Sequence, residues 1–250
     1  MSNNIALFIT FLLGLFIIIG VIITFFLKKK QKVLDFIFAF AFSLLSMLII
    51  LDLLPEAMEH LGLTRLYLFL LFTMLGLLIF KIIDDFIPEH DDHKMTKKEA
   101  RKNIKHIGFL TTIALIIHNI VEGMAIYLAT LNDLNLGIMM SIGVGLHNIP
   151  LGIIITSTLY MSDEKASKYI LCIGSLFISS FLGGLIPYIL NISTVNDTII
   201  GSLLSLTLGM LLYIIIFELW PKILKTTNKK VTIIGLISGI ILLLIGIFIG

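Results

Sequence analysis

Eight apolar segments divide the chain, and each is long enough to cross a lipid bilayer as a helix. A span needs about 20 residues, since a helix rises about 1.5 Å per residue and the hydrocarbon layer is roughly 30 Å thick. We number the segments as spans one to eight, which cover residues 5–27, 33–54, 63–87, 106–130, 134–161, 167–191, 198–220 and 231–249. Charged residues make up only 14% of the chain, against about 25% in soluble domains. The sequence therefore predicts an all-α integral membrane protein with eight transmembrane helices.

The connections between the spans indicate one compact helical bundle. Only the connection between spans three and four is sizeable, and it forms a predicted cytoplasmic loop at about residues 88–106. The first apolar segment is longer than the core of a signal peptide, which has about 7–15 residues, and its basic cluster follows the segment instead of preceding it. We therefore expect it to be retained as a span, and residues 1–250 to form a single transmembrane domain.

Lysine and arginine lie almost entirely on one side of the predicted bundle. If the N-terminus is outside, the four inner connections carry 16 of the 18 basic residues, and the outer connections carry only Arg65. The remaining one, Lys81, lies towards the inner end of span three. Because cytoplasmic loops are enriched in basic residues, this distribution predicts that both termini lie outside.

Spans four and five each carry a histidine–asparagine pair near the middle of the apolar segment. The motif HNIVEG runs from His118 to Gly123, and HNIPLG runs from His147 to Gly152. An ionisable group at the centre of a bilayer costs a few kcal/mol or more, and it usually marks an ion or substrate path. A single membrane histidine is more often a packed hydrogen-bonding group between helices, but two such motifs at equal depth favour a binding site.

The residue types and their spacing suit a divalent metal ion. His118 and Glu122 are four residues apart, which places both side chains on one face of a helix. With His147 from the next span they offer two imidazoles and one carboxylate, a set that suits zinc. Asn119 and Asn148 offer weaker carbonyl ligands. Iron, manganese, cobalt, nickel and cadmium ions also fit these donors.

Pro150 and two glycines give the backbone around the motifs special properties. Pro150 has no N–H for the carbonyl of Leu146, so we expect the helix to open beside His147 and to leave this carbonyl available. Gly123 and Gly152 carry no Cβ, and we expect them to let neighbouring helices approach closely.

These motifs resemble those of the ZIP (Zrt-/Irt-like) family of divalent metal transporters. HNIVEG is similar to the family's HNxPEG in span four, with Val121 in place of proline, and HNIPLG is similar to H/Q-N/D-x-P-E-G in span five. LDLLPEA, residues 51–57, and FELWP, residues 217–221, resemble the ends of spans two and seven. The resemblance covers nearly the whole chain. It implies eight spans with both termini outside, a histidine-bearing cytoplasmic loop and a metal site on spans four and five.

Carried over by position, the resemblance implies five metal ligands in this chain: His118, Asn119, Glu122, His147 and Asn148. Two positions depart from the family pattern. Leu151 stands where a second carboxylate is expected, and SSFLGG places Ser180 and Phe181 where members often have a glutamate-containing pattern. Because two divalent ions need bridging carboxylates to offset four positive charges in a low dielectric, we predict a single metal ion.

Further acidic and histidine residues lie near the predicted mouths of the path. At the outer end of span two they could attract cations, although a solvated helix end explains them equally well. These residues are Asp52, Glu56, Glu59 and His60. Glu218 lies near the inner mouth and is a candidate exit ligand, or an interfacial charge. Candidates for metal capture at the cytoplasmic loop, where a solvated flexible segment is the alternative, are His90, Asp91, Asp92, His93 and His106.

The leading prediction is a carrier or slow channel in the cell membrane that moves a divalent transition metal, zinc first, towards the cytoplasm. The inward direction rests on the resemblance. In this prediction the metal ion is the substrate of the transporter. We expect neither a catalytic cofactor nor a nucleic-acid partner. A homodimer is compatible with the sequence. One alternative is an intramembrane zinc hydrolase, although no HExxH motif is present. Another is a transport-deficient metal sensor, which Leu151 keeps open.

Overall fold

The structure is a computed structural model that describes residues 2–26, 31–86, 97–161, 166–192, 196–226 and 228–249. All regular secondary structure in these ranges is helical, because a chain in lipid has to satisfy its backbone hydrogen bonds within each segment. Span three is a 3-10 turn at Leu63–Arg65 followed by the helix Leu66–Phe86. Five spans are single helices: Ser2–Phe25 (span one), Lys97–Asn132 (four), Leu134–Met161 (five), Ala166–Ile189 (six) and Lys229–Ile249 (eight).

The predicted all-α membrane bundle is confirmed. Among the described residues, seven segments, which correspond to spans one to seven, are long and apolar enough to cross a membrane. The eighth predicted span forms the apolar helix Lys229–Ile249, which is 21 residues long. The chain is therefore a multi-pass membrane protein.

Spans two and seven are each interrupted by a π-helical turn, and both extend beyond their predicted ends at residues 54 and 220. Span two consists of the helix Gln31–Leu48, a π turn at Ile49–Leu53 and the helix Leu54–Leu61. Span seven consists of the helix Asp197–Tyr213, a π turn at Ile214–Leu219 and the helix Trp220–Leu224.

A proline just after each π turn gives the physical reason for it. Pro55 and Pro221 lie in the first turn of the short helices that end these two spans. A proline ring collides with the carbonyl four residues earlier and offers it no N–H, and a locally wider turn relieves the collision. Each π turn carries one carboxylate, Asp52 in span two and Glu218 in span seven.

Pro150 does not open span five, contrary to the expectation from the sequence. The helix is continuous from Leu134 to Met161 with Pro150 inside it, and Pro187 likewise lies inside span six. Helices in membranes tolerate proline because neighbouring helices and small local adjustments satisfy the freed backbone groups. The HNIPLG motif therefore lies on an intact helix.

The eight spans pack as two groups of four. Spans one, four, five and six pack most extensively on one another, and we call them the 1-4-5-6 group. Span two packs on spans seven and eight, and span three packs on span seven, which gives the 2-3-7-8 group. The contacts between the groups are fewer, and they involve spans two and eight against span five, and span seven against span four.

Glycines hold the helices of each group close together. A Cβ on Gly123 would overlap the carbonyl oxygen of Ser180 in span six, and a Cβ on Gly152 would overlap that of Ile17 in span one. The close approach predicted at these two glycines is thus confirmed. Among the described residues, every such glycine contact between spans joins helices of the same group. Larger apolar side chains from both groups, such as Leu48, Ile155 and Leu211, belong to one common apolar core.

Candidate metal centre

His118 and Glu122 form a buried pair at the middle of span four. The His118 Nε2 lies 2.9 Å from the Glu122 Oε1, and the two side chains are 1% and 6% exposed. The four-residue spacing brings them together because side chains one turn apart lie on the same face of a helix. An imidazole nitrogen and a carboxylate oxygen at this separation can bind one divalent cation together.

Asp52 joins this pair from span two. Each of the side chains of Asp52, His118 and Glu122 offers one ligand atom, and these three atoms lie within 4.8 Å of one another. We call these three residues the central cluster. The sequence placed Asp52 near the outer face, but span two continues through Pro55 to Leu61, so Asp52 lies well below the outer end of the span.

The other predicted ligands lie on the same two motifs. Asn119 and Asn148 are buried. Within the described part of the chain, the Asn119 carbonyl oxygen and both amide atoms of Asn148 have no hydrogen-bond partner. Buried polar atoms are normally paired, so these amides are suited to an ion or to its bound water. The backbone of His147 lies in span five, but its side chain lies outside the described residues.

A cavity of about 380 Å³ reaches the central cluster from the side that the lysine distribution places outside. Four of its lining residues are acidic: Asp52, Glu56, Glu59 and Glu122. The cavity therefore connects two members of the central cluster, Asp52 and Glu122, with this side of the bundle. On the opposite side of the central cluster, Leu110, Leu159 and Ile215 are buried in the main apolar core.

His60 does not line this cavity. Its Nδ1 lies 3.1 Å from the Asp197 Oδ1 at the outer end of span seven. The contact joins the outer ends of two spans of the same group, and both side chains are partly or largely exposed. His60 thus contributes to helix packing at the outer surface in this structure.

The residues at the two positions that depart from the family pattern are apolar or uncharged. Leu151 is 2% exposed and packs in the main apolar core. Ser180 is fully buried where span six crosses Gly123, and Phe181 is partly buried and stacks edge-on against Phe11. None of the three side chains brings a negative charge to the centre of the membrane.

A second cluster of candidate ligands lies near the inner face. Each of the side chains of Asp84, His106 and Glu218 offers one ligand atom, and these three atoms lie within 4.8 Å of one another. We call these three residues the inner cluster. The His106 Nε2 is in direct contact with the Asp84 Oδ1 and lies 3.9 Å from the Glu218 Oε1. The Tyr213 hydroxyl donates a hydrogen bond of 2.5 Å to the other Asp84 oxygen.

The sequence predicted only part of the inner cluster. Glu218 was placed near the inner mouth, but His106 was assigned to the cytoplasmic loop, and Asp84 and Tyr213 were missed. Span four begins as a helix at Lys97, so His106 lies inside the bundle and is buried. The signal for Asp84 was an acidic residue at the inner end of an apolar span. The loop candidates His90, Asp91, Asp92 and His93 lie outside the described residues.

Both clusters join the two helix groups. Span four of the 1-4-5-6 group contributes both histidines and Glu122, whereas the carboxylates of Asp52, Asp84 and Glu218 come from the 2-3-7-8 group. Along span four, His106 and His118 are separated by about 18 Å at about 1.5 Å per residue. The structure thus places two similar sets of metal-binding side chains at two depths of one interface.

Comparison with known proteins agrees with these features. Residues 87–247 match the family described as ZIP Zinc transporter. A protein named zinc transporter ZupT from Clostridium perfringens (strain 13 / Type A) is 28% identical over 274 residues, covering 98% of this chain and 96% of the relative. ZupT from Enterobacter sp. (strain 638) is 25% identical over 222 residues, with 87% and 86% coverage. ZupT from Streptococcus mutans is 29% identical over 180 residues, with 69% and 67% coverage.

The family match covers well over half of the chain and includes both histidine motifs, span six and span seven. Its members are transporters, so the alternative of an intramembrane hydrolase is set aside, and the metal is a substrate and not a catalytic cofactor. Together with the eight apolar helices and the buried histidine–carboxylate pair, the match shows that this chain belongs to the ZIP zinc transporter family.

Proposed function

We propose that this chain carries zinc across the cell membrane towards the cytoplasm, one ion at a time, through the central cluster. The observation that carries the proposal is the buried His118–Glu122 pair at the base of an acidic cavity that opens to the outer side. Asn119, His147 and Asn148 are the further ligands proposed from the motifs. The relatives that are named zinc transporters support zinc as the first substrate to test.

The charge of the site favours one ion over two. A second divalent cation would bring the total to four positive charges in a region of low dielectric, where uncompensated charge is costly. Leu151 and Ser180 stand where the family pattern would supply carboxylates, and neither side chain is charged. The carboxylates near the centre are those of Glu122 and Asp52.

The acidic cavity provides an entrance for cations. Glu59 lies at its exposed end and Glu56 is half-buried, so negative charge continues from the outer surface to Glu122. A cleft of one charge sign with low-dielectric walls raises the local concentration of ions of the opposite sign. The same field disfavours anions at the entrance.

The two helix groups supply the moving parts of a carrier. Glycine contacts hold the helices together within each group, whereas the described glycines make no such contact between the groups, which pack on each other less extensively. A movement of one group against the other therefore preserves the close crossings, and it would expose the ion to each side in turn. His118 and Glu122 would travel with the 1-4-5-6 group.

The inner cluster is proposed as the exit from the membrane. It offers one imidazole and two carboxylates near the cytoplasmic side; His106 and Glu218 are buried, and Asp84 is partly buried. An ion released from the central cluster would meet these side chains before it reaches the cytoplasm. The Asp84–His106 contact, which joins spans three and four, would have to break for the ion to pass.

Replacing Glu218 with glutamine tests the exit. We expect zinc uptake to fall several-fold, because the neutral amide is a weaker ligand than a carboxylate, while zinc affinity at the central cluster stays unchanged. Uptake is measured in proteoliposomes and affinity by titration of the purified protein. Unchanged uptake by Glu218→Gln, with the protein correctly folded, would remove Glu218 from the path.

Uptake is expected to weaken as the outer pH falls below about 6. A histidine nitrogen must be free of its proton before it can bind a metal, so protons compete with zinc at His118 and at His147. The measurement is the initial rate of zinc uptake at a series of pH values with a constant free zinc concentration. A rate that does not change between pH 7.5 and 5 would argue against ligation by histidine.

Zinc transport itself is tested with purified protein in proteoliposomes loaded with a fluorescent zinc indicator. We expect uptake that saturates with zinc concentration and is absent from protein-free liposomes. Tight zinc binding without any uptake would instead identify a transport-deficient sensor. Competition with iron, manganese, cobalt and cadmium ions then ranks the substrates.

A further inference from the structure

We infer that Asp52 is a ligand of the transported ion and supplies, from the 2-3-7-8 group, the carboxylate that Leu151 does not provide. The inference rests on the proposed zinc transport and deepens it, since it adds a ligand to the central cluster. It goes beyond the motifs of spans four and five, because span two lies in the other helix group.

The distances allow all three side chains to bind one ion. Ligand atoms of Asp52, His118 and Glu122 lie within 4.8 Å of one another. In a tetrahedral zinc site with bonds of about 2.0–2.2 Å, neighbouring ligand atoms are about 3.4 Å apart. Side-chain adjustments of about 1 Å are therefore enough to close the three ligands around the ion, and water or the motif amides could complete the coordination.

The π turn accounts for the position of the Asp52 carboxylate. Pro55 follows in the next turn and favours the wider backbone at Ile49–Leu53. An extra residue in a helix rotates the side chains beyond it by about 100°, so a regular α-helix would direct Asp52 differently. Ile50, two residues earlier, is exposed on the surface of the bundle, whereas Asp52 is half-buried and lines the cavity. Such π turns are frequent at functional sites.

Charge balance gives Asp52 a specific role. A zinc ion held by neutral histidine and Glu122 alone leaves one positive charge in a region of low dielectric, and Asp52 cancels it. Leu151 is packed in apolar surroundings and contributes no charge. The central cluster thus reaches neutrality with one ion and two carboxylates, one from each helix group.

The origin of the two carboxylates also links binding to release. Glu122 moves with the 1-4-5-6 group, but Asp52 belongs to the 2-3-7-8 group. When the groups shift, the ion loses the Asp52 ligand, and its affinity for the remaining site falls. At the inner end, Asp84 and Glu218 of the same 2-3-7-8 group are in place to receive it. Asp52 would therefore give the central cluster a higher affinity for the ion before the groups shift than after they have shifted.

The test compares Asp52→Asn with Glu59→Gln in the full-length purified protein. Both side chains line the same cavity on span two, but only Asp52 belongs to the central cluster. Zinc is titrated in about 1 M salt, where the Debye length is about 3 Å and the attraction of surface charges is screened. The visible absorption of bound Co²⁺ is recorded for each variant, because it changes with the number and type of ligands.

We expect one zinc ion per wild-type chain and at least about a 10-fold loss of affinity in Asp52→Asn. The Co²⁺ spectrum should change in this variant, while Glu59→Gln should bind like the wild type. If Asp52→Asn binds zinc as tightly as the wild type with an unchanged Co²⁺ spectrum, Asp52 is not a ligand. If Asp52→Asn is unchanged in this way and His118→Ala no longer binds zinc, the inference about Asp52 fails and the proposed function stands. Absence of zinc binding by the folded wild type overturns both.

A conservative variant covers the case in which Asp52→Asn does not fold. Asp52→Glu keeps the charge and moves the carboxylate by one methylene group. If Asp52 is a ligand, this variant keeps more zinc affinity than any neutral variant and shows a shifted Co²⁺ spectrum. A Co²⁺ spectrum identical to that of the wild type would overturn the assignment, since a displaced ligand cannot leave the coordination unchanged.

Discussion

Replacing His118 with alanine should abolish zinc uptake and lower zinc affinity by at least about 100-fold, since loss of a direct ligand exceeds the roughly 10–100-fold typical of supporting residues. His118 is 1% exposed and its Nε2 faces the Glu122 carboxylate at 2.9 Å. Alanine leaves Glu122 buried without its imidazole partner and removes the strongest nitrogen ligand of the central cluster. Uptake is measured in proteoliposomes and affinity by titration in detergent.

His60→Ala is the matched control for this prediction. His60 is a histidine of the same chain, but it pairs with Asp197 at the outer surface, away from the central cluster. We expect this variant to keep zinc affinity within about two-fold of the wild type and to transport zinc. If His118→Ala transported zinc at the wild-type rate, the central cluster could not be the transport site.

Replacing Gly183 with alanine should destabilise the 1-4-5-6 group by about 1–3 kcal/mol or more, the usual cost of adding atoms to a packed core. A Cβ on Gly183 would overlap the carbonyl oxygen of Ile120, because spans six and four cross here in close contact. The carbonyl belongs to a helix backbone, which cannot move away as a flexible side chain could. The measurement is the melting temperature of the purified protein in detergent.

Gly174→Ala provides the control on the same helix. Gly174 is exposed on the surface of span six, and a Cβ there would meet no other atom within 4 Å. Alanine also favours a helix over glycine, so the stability should stay equal or rise slightly. Equal melting temperatures for the two variants would contradict the close crossing of spans four and six.

Much of the architecture follows from local properties of the sequence. The apolar segments predicted the helices within a few residues in most spans, because length and hydropathy are properties of one segment. The His118–Glu122 pair was predicted from a spacing of four residues, since the geometry inside one helix is set by the backbone. The close crossings at Gly123 and Gly152 were predicted because only a missing Cβ permits such an approach.

The errors in predicting the ends and the continuity of the helices came from residues next to proline. The sequence ended spans two and seven at residues 54 and 220, but the helices continue through Pro55 and Pro221 with a π turn before each proline. Pro150 was expected to open span five and does not. Whether a proline widens, interrupts or only occupies a helix depends on the helices packed around it, and the sequence of one segment does not contain that information.

The number of spans, the all-α class and the pair at the middle of span four can be read from the order of the residues, because each depends on a single segment. The meeting of Asp52 with His118, and of Asp84 with His106 and Glu218, can be read only from the folded chain. These contacts join helices that are distant along the chain, and they require a specific rotation of each helix about its axis. One residue more or less in a turn rotates a side chain by about 100°, so small differences in packing select which carboxylates face the histidines.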